Sequence, residues 1–405
     1  MPRFLPFPGI RYATPRGTAD LSDVCAPPYD VIEPEERAAL AARDPHNAIR
    51  LILPDSYASA AAALARWRAD GVLVTDDSPG YSVYRMEFTG DDGNPRQTTG
   101  VIGALGLDHP EGDVLPHERT LPKAKSDRLE LLRATRANFD PIWGLSATPG
   151  LTELLAPTGA PLATAVDDDG FRHSLWRLDD TARITAVAEA VAATTLVLAD
   201  GHHRYETARN YRVKRGAGAA TDPGADAIMT LVVELAPDQL CVRAIHRLLT
   251  GVADIDLRAA LARTFTVRPL GPNAPGGVAA LEAAMHRDGG LGLVDRAGLA
   301  LLEPRSTLDE RMREQPVELQ AVDSARFDVG VRPAVTEASL AYRNDAIAVA
   351  ASVATGHADA AVLLRPVTVE TIRAAAAAGL RMPEKTTFFA PKPRTGMVFR
   401  SLDEG

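Results

Sequence analysis

The chain has 405 residues, 46% of them hydrophobic and 24% charged, a balance that supports a large folded core and excludes wholesale disorder. A formal charge of −9 repels polyanions, so no nucleic-acid partner is expected, and two cysteines are too few for a disulfide framework or a four-thiolate zinc site. Its apolar runs fall far short of the roughly 20 residues a membrane-crossing helix needs, and prolines break the opening where an export signal would need an apolar helix, so a cytoplasmic protein with no membrane partner is expected.

In chain order, the first expected helices are 34–43 and 56–70, the second rich in alanine, with Ser56 as its cap and Gly71 closing it. Alternating apolar positions at 81–88 and 98–107, on either side of a turn-forming Asp-Asp-Gly-Asn-Pro stretch, predict a β-hairpin. Residues 115–125 carry prolines and charges and read as a surface loop. Ser126 or Asp127 is the expected cap of a helix running to about 138.

A strand is expected at 141–146, a helix at 181–193 and an apolar, β-branched strand at 194–199, after which another helix begins at His202. Further on come a buried strand at 227–235 and helices at 255–264 and 278–286, separated by a Pro/Gly-rich stretch at 271–277 that suits a linker. The end offers two strand-like pieces, 387–390 and 397–399, around a Pro/Lys turn. This alternation predicts a mixed α/β (α+β) fold. A catalytic portion is expected at 1–250 and a second α/β portion at 251–405, with the last strands returning to the first core.

The chemistry concentrates where the 194–199 strand runs into Asp200-Gly-His-His-Arg204. Glycine lets backbone approach a ligand closely, and the first turn of the following helix offers N–H groups with partial positive charge, an arrangement suited to an anion. Gly201, His202, His203 and Arg204 are therefore expected to bind phosphate, the guanidinium matching two oxygens at once and the imidazole giving a directed hydrogen bond or a proton. Asp200 is left with two roles, holding a magnesium ion or orienting a histidine. The bland alternative is a helix cap with paired histidines. Five polar or turn-forming residues at one strand-to-helix junction weigh against it.

A second cluster occupies 115–128. Glu118 is a candidate proton acceptor, and His117, Arg119, Lys123, Lys125 and Arg128 are candidates for binding carboxylate or phosphate. Mutual pairing on a solvated loop would explain the same charges. Weaker candidates are Asp30 in Ala-Pro-Pro-Tyr-Asp-Val-Ile32, which also reads as a rigid turn, the His46-Asn47 turn, and Lys385, Lys392 and Arg394, which flank the last strands and suit either phosphate or edge protection. Neither a G-x-x-x-x-G-K-[ST] loop nor an H-E-x-x-H helix occurs.

Together, Ala26-Pro-Pro-Tyr-Asp-Val-Ile32, Leu115-Pro-His-Glu-Arg-Thr120, Lys125-Ser-Asp-Arg-Leu129, Ala199-Asp-Gly-His-His-Arg-Tyr-Glu-Thr-Ala208 and Met382-Pro-Glu-Lys-Thr-Thr-Phe-Phe389 resemble the bacterial family catalogued as domain of unknown function 1015. Within it, Asp200-Gly-His-His-Arg204 is similar to the phosphate motif of the ParB/sulfiredoxin-like superfamily, especially its free serine kinases. The resemblance implies a ParB/sulfiredoxin-like nucleotide-binding core with added α/β substructure. It also implies transfer of phosphate from ATP or ADP, with magnesium, to the hydroxyl of a small molecule such as free L-serine. Asp200 and His203 would then be catalytic, Asp200 serving magnesium or proton transfer; the motif places no general base, and Glu118 of the charged loop is the candidate for it. Sulfiredoxins carry a cysteine where this chain has His202, which disfavours sulfinic acid repair. A nucleotide-binding regulator without catalysis and a metal-dependent phosphohydrolase are the competing expectations.

Overall fold

The computed structural model describes residues 1–14, 17–90, 93–109, 112–116, 125–215, 223–274 and 276–403. The described chain forms two compact units. One holds Met1–Pro116, the chain up to Cys241 and the C-terminal segment from Pro391, and the other holds Val242–Ala390.

The first unit is built on a sheet with ten strands among the described residues. Tyr81–Thr89 and Pro95–Gly106 form the expected antiparallel hairpin, and Ala227–Glu234 pairs antiparallel with the second of these. Ile142–Ser146 follows, parallel to Ala227–Glu234, then Leu196–Asp200, antiparallel to it, and finally Val114–Pro116, parallel to Leu196–Asp200 at the sheet edge. Leu196–Ala199 are all buried, which is why this strand reads as a short continuous apolar run rather than an alternating one. Valines 187 and 191 of helix Thr181–Ala192, and Tyr205 and Ala208 of helix His202–Arg215, close the core over Val101, Leu105, Ile142, Leu198 and Val232.

Local capping sets several helix ends. Ser56 accepts from Ser59 N while the Ser59 hydroxyl accepts from Ser56 N, a reciprocal box that fixes the start of Tyr57–Ala69. Asp180 accepts from Arg183 N at the start of Thr181–Ala192.

Other expectations need correction. The helix expected to run to 138 spans Lys125–Thr135, so Ser126 and Asp127 lie in its first turn rather than at its cap. Arg136 then turns through φ 50° into a two-residue strand, Ala137–Asn138. Its Ala137 and Asn138 pair with Ser401 and Arg400, partners too distant in sequence to leave a local signal. The 397–399 piece is not a strand. Phe399 makes an isolated bridge to Ile10, and the strand begins one residue later at Arg400–Ser401.

The second unit carries a sheet with six antiparallel strands among the described residues, in the order Phe265–Gly271, Gly298–Pro304, Leu291–Asp295, Ala360–Leu363, His246–Thr250, Ser339–Arg343. Helices Gly277–Asp288 and Ala346–Ala354 pack on it through Leu281, Met285, Val349 and Val353. The helix expected at 255–264 is shorter, Leu257–Leu261, capped by Asp256. Chain after it turns through 262–264 into the Phe265–Gly271 strand. Among the described residues no helix is long and apolar enough to cross a membrane.

Candidate functional site

The buried strand Leu196–Asp200 delivers Asp200 to the boundary of the core, and the helix His202–Arg215 starts two residues later. Gly201 joins them at φ +84°, a left-handed conformation in which a side chain is strained. A Cβ there would also lie 2.7 Å from Ile142 Cγ2 and 2.9 Å from Ile142 Cβ. Two independent constraints thus require glycine at the bend. The first helical hydrogen bond, Tyr205 N to Gly201 O at 2.9 Å, closes the turn at once.

Around the bend, two cations converge on one carboxylate. Arg204 Nη2 donates to Asp200 Oδ2 at 3.0 Å, one helical turn away, and Lys392 Nζ donates to Asp200 Oδ1. The other fork of the guanidinium, Nη1, donates to Pro141 O at 2.8 Å. Burial alone would push the Asp200 carboxyl up, but Lys392, Arg204 and the Lys392 hydrogen bond outweigh it and hold the group well below the usual carboxylate range. Burial likewise disfavours the Arg204 charge, and Asp140 and Asp200 more than restore it.

Asp140 is a second acid of the site. It is buried at 9% exposure and accepts from Thr395 Oγ1. Burial pushes its carboxyl up to about 6, against the pull of Arg204 and Arg128 and with the support of Asp30 and Asp200. Tyr29, in the short Tyr29–Val31 turn, lies between two guanidinium groups, with Arg128 4.3 Å and Arg204 6.0 Å from its ring centre. Arg128 is anchored by Ile52 O at 2.7 Å and by Asp127. A cavity of about 60 Å³ lies among Arg128, Asn138, Asp140, Arg204 and Thr207. That is room for a few water molecules, so this pocket alone does not enclose a nucleotide.

The structure thus brings Asp200, Gly201, His202, His203 and Arg204 together at one junction, with His202 and His203 half-buried in the first helical turn. Arg128 reaches the same neighbourhood through Tyr29, and Lys125 opens the helix that carries Arg128. His117, Glu118, Arg119 and Lys123 lie outside the described residues. The strand before them in sequence, Val114–Pro116, pairs with the motif strand, Pro116 opposite Leu198.

Three features had little or no local signal. Asp140 has no motif spacing around it, and its hydrogen-bond partner Thr395 and its main countercharge Arg204 lie 64 or more residues away. Tyr29 reads as a rigid turn. Lys392 reads equally as a phosphate ligand and as an edge charge, with nothing local to choose between them. For magnesium, the fit is poor. Asp200 already spends both oxygens on cations, and among the described residues no three His, Cys, Asp or Glu side chains gather as a metal cluster.

Several solved structures resemble the chain at low identity. A free serine kinase mutant in complex with ADP is 16% identical, with 72% of this chain and 87% of that one covered and a TM-score of 0.38. A conserved hypothetical protein from Pyrococcus furiosus is 15% identical, with 75% and 96% covered and a TM-score of 0.38. SbnI with a C-terminal truncation, from Staphylococcus aureus, is 12% identical, with 73% and 85% covered and a TM-score of 0.36. Among curated proteins none matches. The family model described as protein of unknown function (DUF1015) matches residues 4–325, and the chain, a mixed α/β protein, belongs to that family.

Proposed function

We propose that the chain is a phosphotransferase that moves phosphate from ATP or ADP to the hydroxyl of a small molecule in the cytoplasm, with free L-serine the first acceptor to test. The observation that carries this reading is the convergence of Arg204 and Lys392 on Asp200 at the glycine bend. The oxygens of Asp200 take the same donors that anionic phosphate oxygens would take, and they lie beside the N-terminus of a fourteen-residue helix. Phosphoryl transfer asks little covalent chemistry of a protein. Positioning and neutralisation of spreading negative charge do most of the work, and a guanidinium, an ammonium and helix amides supply both.

In this reading Gly201, His202, His203 and Arg204 cradle the phosphates. Asp200 and His203 act in the transfer. Glu118 or Asp140 takes the proton of the acceptor hydroxyl. Asp140 suits that task because an acid titrating near 6 is mostly ionised at neutral pH yet more basic than an ordinary carboxylate. His117, Arg119, Lys123, Lys125 and Arg128 are assigned to the acceptor. No step is routed through a metal ion on Asp200. Residues 1–250, with the returning C-terminal segment, form the catalytic portion.

The test is a product assay. Purified protein is supplied with ATP or ADP, magnesium and L-serine or another small hydroxyl compound, and phosphorylated product is sought by phosphorus NMR and mass spectrometry. Acceptor-dependent product supports the reading. Nucleotide binding with no product overturns it in favour of a regulator, and phosphate release that needs no acceptor overturns it in favour of a hydrolase.

A further inference from the structure

Lys392 stands 192 residues from Asp200, yet its side chain is only 12% exposed and its ammonium rests on that carboxylate. A flexible lysine does not reach such a place unless its backbone is fixed. The segment from Pro391 is fixed at several points within the first unit. Arg394 N donates to Tyr84 Oη at 3.0 Å, and Tyr84 is itself held by His173 Nδ1 at 2.7 Å. Thr395 and Ala26 exchange backbone hydrogen bonds at 3.0 and 2.9 Å, and Thr395 Oγ1 donates to Asp140. Farther on, Arg400 clamps Gly224 O at 2.7 Å and Ala227 O at 3.1 Å. One short segment therefore touches both acids of the site, Asp140 through Thr395 and Asp200 through Lys392.

Such anchoring is more than an edge charge needs. A lysine that only protects a strand edge keeps its ammonium in water, where hydration is strong and its rotamers are free. Here the head group is withdrawn from solvent and aimed at the bend, beside Arg204. Asp200 offers one negative charge to two cations, and Asp140 draws on Arg204 but not on Lys392. A phosphate ester with two negative charges competes well for both donors.

We propose that Lys392 is a phosphate-binding side chain of this site for a nucleoside diphosphate or triphosphate, delivered by the C-terminal segment and held ready by Asp200 until the ligand's oxygens replace the carboxylate. The inference rests on the phosphate-handling reading above and adds a ligand to it from the far end of the chain. It makes Asp200 a competitor for Lys392 as well as its anchor.

A charge-removal cycle tests this, with ADP binding measured by calorimetry at low and moderate salt. Wild type is compared with Asp200→Asn, with the double variant Asp200→Asn/Lys392→Met, and with Asp200→Asn/Lys392→Arg. Removing the carboxylate frees Lys392 from its competitor, so Asp200→Asn is expected to bind ADP about threefold or more tightly than wild type. Adding Lys392→Met is expected to lose that gain and weaken binding at least tenfold from the Asn background, with a shallower salt dependence. Lys392→Arg is expected to retain most of it. Asp200→Asn/Lys392→Met removes both charges of the pair, whereas Asp200→Asn and Asp200→Asn/Lys392→Arg keep a cation at 392 with no carboxylate beside it, so circular dichroism and denaturant titration are used to confirm that every variant is folded. Equal ADP affinity for Asp200→Asn with and without Lys392→Met overturns the proposal while leaving the phosphate reading intact. Wild type that binds no ADP overturns both.

Discussion

Arg204 bridges the two chain segments that meet at the bend, its Nη2 on Asp200 Oδ2 at 3.0 Å and its Nη1 on Pro141 O at 2.8 Å. The planar fork is what permits both bonds from one side chain. Lysine keeps the charge but is a point donor that cannot hold both partners in the same geometry. Arg204→Lys is expected to cost about 1–3 kcal/mol of stability, read by denaturant titration, and to weaken ADP binding at least tenfold. Unchanged stability and affinity would show the fork to be incidental.

Gly201 offers a sharper test of the backbone. Its φ of +84° is one that a side chain resists, and Ile142 occupies the space of a Cβ. Gly201→Ala is expected to lose about 2–4 kcal/mol, strain and overpacking acting together, whereas Gly71→Ala, at φ +72° with open space around it, should lose only about 1 kcal/mol. Equal losses at the two positions would remove the packing half of the argument.

The bend is legible from sequence because all its parts are local: a buried β-branched strand, one glycine, and polar residues at the start of a helical pattern. The same holds for helices with polar caps, such as Tyr57–Ala69 behind Ser56 and Thr181–Ala192 behind Asp180. Legibility ends where long-range partners decide the outcome. Asp140 takes its character from Thr395, Arg204 and Arg128, and Lys392 becomes part of the site only because Tyr84 and Ala26 hold its segment. Apart from Arg128, which lies close to Asp140 in sequence, no short window contains both ends of those contacts. The Leu257–Leu261 helix is shorter than 255–264 for a local reason, since Asp256 caps its start and a turn with Thr264 N donating to Leu261 O ends it before the Phe265–Gly271 strand begins.

Asp140 predicts a pH dependence of stability. Burial raises its folded value to about 6, while an unfolded chain releases that proton near pH 4. Between these values the folded state binds more protons, so Asp140 favours folding below about pH 4 and this contribution is lost as pH rises through 6. Asp200 works in the opposite sense. Its value is depressed, so its contribution is present above the unfolded value and lost as pH falls below about 4. Asp140→Asn removes only the first effect. Stability of the variant relative to wild type is expected to climb by up to about 2–3 kcal/mol from pH 4 to pH 6.5, measured by denaturant titration at each pH. A flat difference across that window would mean that Asp140 is not held near 6.

Tyr84 joins the sheet to the segment that carries Lys392. Its hydroxyl accepts from Arg394 N at 3.0 Å and meets His173 Nδ1 at 2.7 Å, and His173 Nε2 meets Asp167 Oδ2 at 3.0 Å. Burial lowers the His173 value, so the ring is neutral at pH 7, donates from Nε2 to Asp167 and accepts at Nδ1 from the tyrosine. Tyr84→Phe deletes the hydroxyl at the centre of this chain and leaves a buried ring nitrogen and the Arg394 amide without their partner. The expected cost is about 1–3 kcal/mol. Tyr12→Phe is the matched control, because its hydroxyl donates to His46 O at 2.7 Å in another part of the same unit and should cost a similar amount. The two variants part in ligand binding. Arg394 is two residues from Lys392, so Tyr84→Phe is expected to weaken ADP binding severalfold, and Tyr12→Phe to leave it at the wild-type value. Equal ADP affinity in both variants would mean that the tyrosine secures the fold without placing the lysine.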